Sequence, residues 1–151
     1  MLETAPATPS QNATFRQPAV LAWLRMLRFV SRTQRLSAER LRGWGVSLAQ
    51  FDVIAQVGAD EGMTQGRLAE RLLTTQGNVC QLLQGLEKRG LIERRPQGRT
   101  KQLFLSAAGR ALFHDLVPAH EAWLPERFAA LTPDEQGELS RLLRKLERSQ
   151  R

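Results

Sequence analysis

The hydrophobic period of this chain changes at Gly90 and changes back at Ser106, and that double switch restricts the fold more than anything else in its 151 residues. Before Gly90, apolar residues recur every three or four positions, as on one face of a helix. Val79, Leu82, Leu83 and Leu86 form such a face, entered through Thr74-Thr75 and closed where Gly90 follows Glu87-Lys88-Arg89. A glycine in that place can take the left-handed conformation that ends a helix. Beyond it, Leu91-Ile92-Glu93-Arg94-Arg95 and Lys101-Gln102-Leu103-Phe104-Leu105 read as short strands around a Pro96-Gln97-Gly98-Arg99 turn. Just upstream, Thr64 caps a short helix with Leu68 and Leu72 inward. A short helix, a tight turn, a longer helix, a glycine and a hairpin together spell a winged helix-turn-helix. The expected fold class is mainly α, with a small β-hairpin wing.

Helical patterns flank this unit on both sides. From Pro18 to about Arg42, Val20, Trp23, Leu24, Leu27 and Val30 recur at helical spacing until Gly43-Trp44-Gly45 interrupts them. Ser47 and Gln50 make an S-x-x-Q capping box that starts a helix with Phe51, Ile54 and Val57 inward, and Gly58 and Gly62 bracket its exit. Ser106 caps a fifth helix carrying Leu112, Phe113, Leu116 and Val117, with Pro118 expected to bend it. Thr132-Pro133-Asp134-Glu135 opens the last helix, whose Leu139, Leu142, Leu143 and Leu146 lie at i, i+3, i+4 and i+7. A winged helix already owns a compact core, so apolar helices at both chain ends need another surface, and a twofold homodimer supplies it. Residues 1–14 are expected to be a flexible tail, 15–46 a dimerisation helix, 47–105 the DNA-binding domain and 106–151 further dimerisation helices. Trp123, Leu139, Leu142, Leu143 and Leu146 are the expected dimer contacts.

The charge points to a polyanion. The chain carries 22 Lys and Arg against 15 Asp and Glu, a net +7. Between Lys88 and Lys101 six basic residues face Glu93 alone, so most of that excess falls in or beside the expected wing. Cys80 is the single cysteine, which excludes an internal disulfide and any multi-cysteine zinc site. His114 and His120 are six positions apart and point about 240° from one another around a helix, so no metal site is expected. Residues 1–14 have neither a basic n-region nor an apolar run, and a cytoplasmic location without membrane attachment is expected. No nucleophile elbow, P-loop or catalytic carboxylate pair is legible, so neither an enzyme nor a cofactor is expected.

These parts match what duplex DNA demands. A helix fits the major groove with its first residues against base edges, and a hairpin follows the backbone or reaches the minor groove, whose negative potential suits arginine. With the inward face filled by apolar residues, Gln76, Asn78 and Gln81 are left to meet bases, and amide side chains suit adenine. Thr64, Thr75 and Gly77 are expected beside them, with Arg94, Arg95, Arg99 and Lys101 on the wing. The rival reading is a winged helix that serves protein–protein assembly, which leaves a basic wing without a purpose.

Thr64-Gln65-Gly66-Arg67-Leu68-Ala69-Glu70-Arg71-Leu72, Thr74-Thr75-Gln76-Gly77-Asn78-Val79 and Leu86-Glu87-Lys88-Arg89-Gly90-Leu91-Ile92 resemble, in that order, the helix-turn-helix of the MarR family. Gly43-Trp44-Gly45-Val46-Ser47-Leu48-Ala49-Gln50-Phe51 is similar to the family's approach to its second helix, and Leu105-Ser106-Ala107-Ala108-Gly109 to the segment closing its wing. The resemblance runs from Pro18 onward. It implies a homodimeric regulator that binds a palindromic double-stranded operator, typically a repressor. It also implies a crevice that takes small aromatic or amphipathic effectors, for which Trp23, Arg28, Trp44, Phe51 and His114 are the candidates. Two positions depart from the family pattern. Gln97-Gly98-Arg99 stands where Asp-x-Arg is common, and Gln81 where an arginine often lies. Cys80, in the recognition helix, is either a small packed residue or a thiol switch. Redox-sensing members of the family carry their cysteine nearer the N-terminus.

Overall fold

The computed structural model describes residues 17–150, so the tail expected over 1–14 lies outside them. Among the described residues, six α-helices and one hairpin follow in order. They are α1 (Pro18–Arg42), α2 (Leu48–Ala59), α3 (Gln65–Arg71), α4 (Gln76–Lys88), β1 (Ile92–Gln97), β2 (Thr100–Leu105), α5 (Ala107–Trp123), a 3₁₀ turn (Leu124–Phe128) and α6 (Pro133–Ser149). The chain divides after Arg40 into two compact units, and the core described below belongs to the second.

Local capping chemistry sets the helix starts. The Ser47 hydroxyl accepts from the Gln50 amide at 3.1 Å while the Gln50 side chain accepts from the Ser47 amide at 3.0 Å, the reciprocal pair of a capping box. Thr64, Thr75 and Ser106 each accept from the amide three residues on. Thr132 and Glu135 form a second capping box, with Pro133 in the first turn, where its missing N–H costs nothing. Gly45 and Gly90 close the ends of α1 and α4 with φ of 71° and 68°.

Helix propensity alone does not hold α4, because Gly77 and Gly85 each cost it about 1 kcal/mol relative to alanine. Burial does. Val79, Leu83 and Leu86 are fully enclosed, each contributing roughly 1.5–3 kcal/mol of burial. They pack with Ile54, Val57, Leu68, Leu103 and Leu116 in one core. Leu82, expected inward, is only partly buried at the rim of that core. Gly58, expected with Gly62 to bracket the exit of α2, is the last residue but one of that helix, which ends at Ala59. It is there because a Cβ would overlap the Phe113 ring, so the glycine lets α5 close on α2. The Pro118 position is likewise accommodated, and α5 continues through it to Trp123.

The hairpin pairs Ile92 with Leu105 and Gln97 with Thr100, antiparallel and without a bulge. The expected four-residue turn is therefore tighter. Pro96 and Gln97 extend β1, and only Gly98-Arg99 turn, with Gly98 at φ 60° as a two-residue hairpin loop requires. The segment before α3 adds a third edge: Gly62 N–H donates to Leu103 O at 2.7 Å, Leu103 N–H to Met63 O at 2.9 Å, and Thr64 bridges Gln102. Glu61 locks this base. It accepts from the Leu105 amide at 2.9 Å and pairs with Arg110 of α5 at 3.0 Å.

Two residues make opposite stability forecasts. Gly109 sits under the Leu91 carbonyl, and a Cβ there would overlap that oxygen. Leu73, in the turn between α3 and α4, holds φ 52° with its side chain 93% exposed, so it bears left-handed strain with no packing in return. Gly109→Ala should lower stability by about 1–3 kcal/mol, and Leu73→Gly should raise it by about 1 kcal/mol. Thermal melts at fixed protein concentration read both, at roughly 2–4 °C per kcal/mol. Equal midpoints for the two variants would contradict both assignments.

Candidate nucleic-acid interface

The N-terminal half of α4 projects its polar face from the body. Thr75 is the N-cap, its hydroxyl accepting from the Asn78 amide at 3.2 Å. Gln76, Gly77, Asn78 and Gln81 are exposed. Asn78 is partly committed, since its Nδ2 donates to Thr74 Oγ1 at 3.1 Å. Among the described residues the Gln81 and Gln76 side chains carry no such tie, which leaves them the freest amides on this face. Thr64 is different: its hydroxyl caps α3 at 3.3 Å from Arg67 N and its backbone joins the wing sheet, so its polar groups are already engaged.

The wing cations separate into two kinds. Arg94, expected on the DNA, grips Glu87 of α4 with Nε at 2.8 Å and Nη2 at 2.6 Å. Its side chain is only 16% exposed. Arg95 pairs with Glu93 at 3.0 Å and stacks on the Phe104 ring at 4.3 Å, yet remains largely in solvent. Arg89 donates to Gln50 at 3.2 Å. Among the described residues Lys88, Arg99 and Lys101 have neither a hydrogen bond nor an ion pair, and all three are exposed. On α3, Arg67 and Arg71 share Asp60 at 3.3 and 2.7 Å. Cys80 is half-buried and accepts weakly from Gln84 at 3.7 Å.

The remaining expectations fare unevenly. Phe51 is 7% exposed inside the core, and the ring it meets is His120 at 4.4 Å, not His114. His114 is exposed and sits edge-on to Phe113 at 5.5 Å. Trp44 is 41% exposed in the turn before α2, and on α1 Trp23 and Arg28 are exposed. Trp123, expected at a dimer contact, is instead buried at 7% within its own chain, packed 5.7 Å from His120. Leu142, Leu143 and Leu146 stand open along α6, with Leu139 partly covered. Among the described residues no helix is long and apolar enough to cross a membrane, and no three His, Cys, Asp or Glu gather as metal ligands.

An outward amide face on a helix, with two free cations at the tip of an adjoining hairpin, defines a winged helix-turn-helix DNA-binding protein. The MarR family model matches residues 44–102. An uncharacterized HTH-type transcriptional regulator of Bacillus cereus is 35% identical over 127 residues, which is 83% of this chain and 86% of that protein. A MarR-family transcriptional regulator from Silicibacter pomeroyi superposes with a TM-score of 0.76 at 26% identity, over 88% of this chain and 92% of that one. An organohalide-sensing transcriptional regulator, solved with 2,4-dichlorophenol bound, shares the fold with a TM-score of 0.80 at 21% identity, over 98% and 89% of the two chains. The chain belongs to the MarR family of transcriptional regulators.

The Glu87–Arg94 pair makes a pH forecast. The hydrogen bond from Arg94, aided by the charges of Arg94 and Lys101, holds the Glu87 carboxyl below its ordinary 4.5 against the opposing effect of burial. A depressed folded value stabilises above the unfolded value, and that stability is lost as pH falls through the folded one. Glu87→Gln should therefore melt below the unmodified chain at neutral pH, and the gap should close as pH falls beneath about 4. A gap that stays constant down to pH about 3 would show that the carboxylate charge contributes nothing.

Proposed function

We propose that two copies of this chain form a cytoplasmic twofold dimer through α1 and α6. Each copy places α4 in a major groove of a palindromic operator and its wing tip on the neighbouring backbone or minor groove. The dimer acts as a repressor, released when a small aromatic or amphipathic molecule binds. The observation that carries the reading is the pairing of a polar, outward α4 face with the unengaged Arg99 and Lys101. Gln76 and Gln81 read bases, Thr75 and Gly77 bring the helix N-terminus to a phosphate, and Asn78 reads once it exchanges Thr74 for a base. Arg95 adds charge near the backbone while its ring contact keeps it extended.

Assembly follows from unspent apolar surface. On α6, Leu142 and Leu146 are 45% and 52% exposed, and on α1, Trp23, Leu27 and Val30 are 57%, 42% and 47% exposed at helical spacing. Stripes of this kind are uncommon on monomers. Residues 15–46 and 106–151 accordingly serve dimerisation and 47–105 DNA binding. For the effector, the exposed Trp44 and His114 offer an aromatic face and a hydrogen-bonding partner, and on α1 the exposed Trp23 and Arg28 offer an aromatic face and a cation. Phe51 is closed against His120 in the core and is not available to it. The dichlorophenol-bound neighbour supports that ligand chemistry. A bound molecule that favours one separation of the two recognition helices shifts the equilibrium away from the DNA-competent state.

The test uses duplexes that the protein selects from genomic fragments. Arg99→Ala should weaken binding by about 1 kcal/mol or more and reduce the salt slope by about one. Gln81→Ala should cost about 1–3 kcal/mol at particular base pairs and leave random-sequence binding unchanged. Unchanged affinity and slope in a folded Arg99→Ala removes the wing tip from the interface. Equal losses on selected and random DNA in Gln81→Ala deny it a part in reading sequence.

A further inference from the structure

We infer that Arg94 is a positioning residue that fixes the wing against the recognition helix and is not itself a phosphate contact. The inference rests on the reading that α4 and the wing bind duplex DNA together. Along β1, Ile92 and Arg94 share a face, because strand side chains alternate. Ile92 is buried at 3% and Arg94 pairs in register with the fully buried Leu103, so this face looks at the helices. Glu93 and Arg95 lie on the outer face, with their own ion pair and the Phe104 ring.

One guanidinium joins every DNA-reading element. Nε and Nη2 hold both oxygens of Glu87 near the end of α4. Nη1 reaches Gln65 Oε1 of α3 at 3.5 Å. Gln65 in turn donates through Nε2 to the carbonyl of Gln76, the first residue of α4, at 3.1 Å. The network thus runs from the wing to α3 and to both ends of the recognition helix. A two-stranded hairpin has little stiffness of its own. Leu103 and Leu105 hold β2 in the core, and on β1 beyond Ile92 the Arg94 network is what ties the inner face to the helices. Arginine suits the task because its planar fork binds a carboxylate bidentately, which the point charge of lysine cannot do.

The two roles for Arg94 predict different salt dependence. A phosphate-binding cation releases counterions, so its loss flattens the plot of log affinity against log salt by about one, and lysine largely replaces it. A brace lowers affinity without touching the slope, and lysine fails in its place. The experiment measures anisotropy of a labelled duplex, selected by the full unmodified chain from a random library, with Arg94→Lys, Arg94→Gln, Glu87→Gln and Arg99→Ala. Thermal melts verify that each variant is folded at the assay temperature. Expected is a loss of about tenfold on the selected duplex for Arg94→Lys and Glu87→Gln, the order carried by one charged hydrogen bond. Their slopes should equal that of the unmodified chain, while Arg99→Ala flattens its own.

Full affinity in Arg94→Lys overturns the inference, as does a flattened slope in Arg94→Gln. Glu87→Gln serves as the independent variant, because it keeps the arginine and removes only its partner. Tighter binding with a steeper slope in Glu87→Gln would mean that freed Arg94 goes to the backbone, and unchanged binding there would mean that the brace is idle. If Arg99→Ala also leaves the slope unchanged, it is the DNA-reading assignment of the wing that fails, separately from the role of Arg94.

Discussion

Burial of Val79, Leu83 and Leu86 is the constraint on which the rest depends. A helix with two internal glycines would not persist at a protein surface on propensity alone. Anchored by one face, α4 can carry Gln76, Asn78 and Gln81 outward without needing those side chains for its own stability. The same anchoring fixes where Gly90 turns the chain, and so where the hairpin leaves the body. Glu61 then ties the hairpin base to α5, and Gly109 lets that helix pass directly beneath Leu91. Reading surface and scaffold are separated residue by residue along thirteen positions of helix.

The electrostatics are more selective than the net charge of +7 suggests. Arg94 and Arg95 spend charge on Glu87 and Glu93, and Arg67 and Arg71 on Asp60. Among the described residues, Lys88, Arg99 and Lys101 near the wing carry neither a hydrogen bond nor an ion pair. Structural arginines therefore hold the geometry, and the free ones stand where a polyanion approaches. Two short charged hydrogen bonds at partial burial are worth more than a solvent-exposed ion pair, so Arg94 would yield its carboxylate to a phosphate only at considerable cost.

Chemistry that acts over three or four residues is legible in the amino-acid order. Ser47 with Gln50, Thr64, Thr75, Ser106 and Thr132 with Glu135 act at that range, and each cap forms as its spacing implies. The strand pair and the helix order are readable for the same reason, from period. Partners distant in sequence are not. Gln65 meets Arg94 across 29 positions and Glu61 meets Arg110 across 49, and no spacing announces either. Aromatic residues mislead most about what is surface: Trp123 and Phe51 look like interface and pocket residues, and both close instead on His120 inside the chain. The exit of α2 near Gly58 is legible, but the reason for that glycine is not, because the Phe113 ring that requires it lies 55 residues away. The basic run from Lys88 to Lys101 is visible as charge, but its division into braces and free cations depends on where Glu87 and Phe104 lie.

In the proposed twofold dimer, two copies of α4 and two wings lie on successive turns of one duplex. Hydroxyl-radical footprinting of a fragment selected from genomic DNA tests it most directly. Two protected tracts related by a dyad, with centres about one helical turn or roughly 10 base pairs apart and flanked by wing-tip protection that Arg99→Ala weakens, are the predicted result. A single unsymmetrical tract, or protection unaffected by Arg99→Ala, would contradict it.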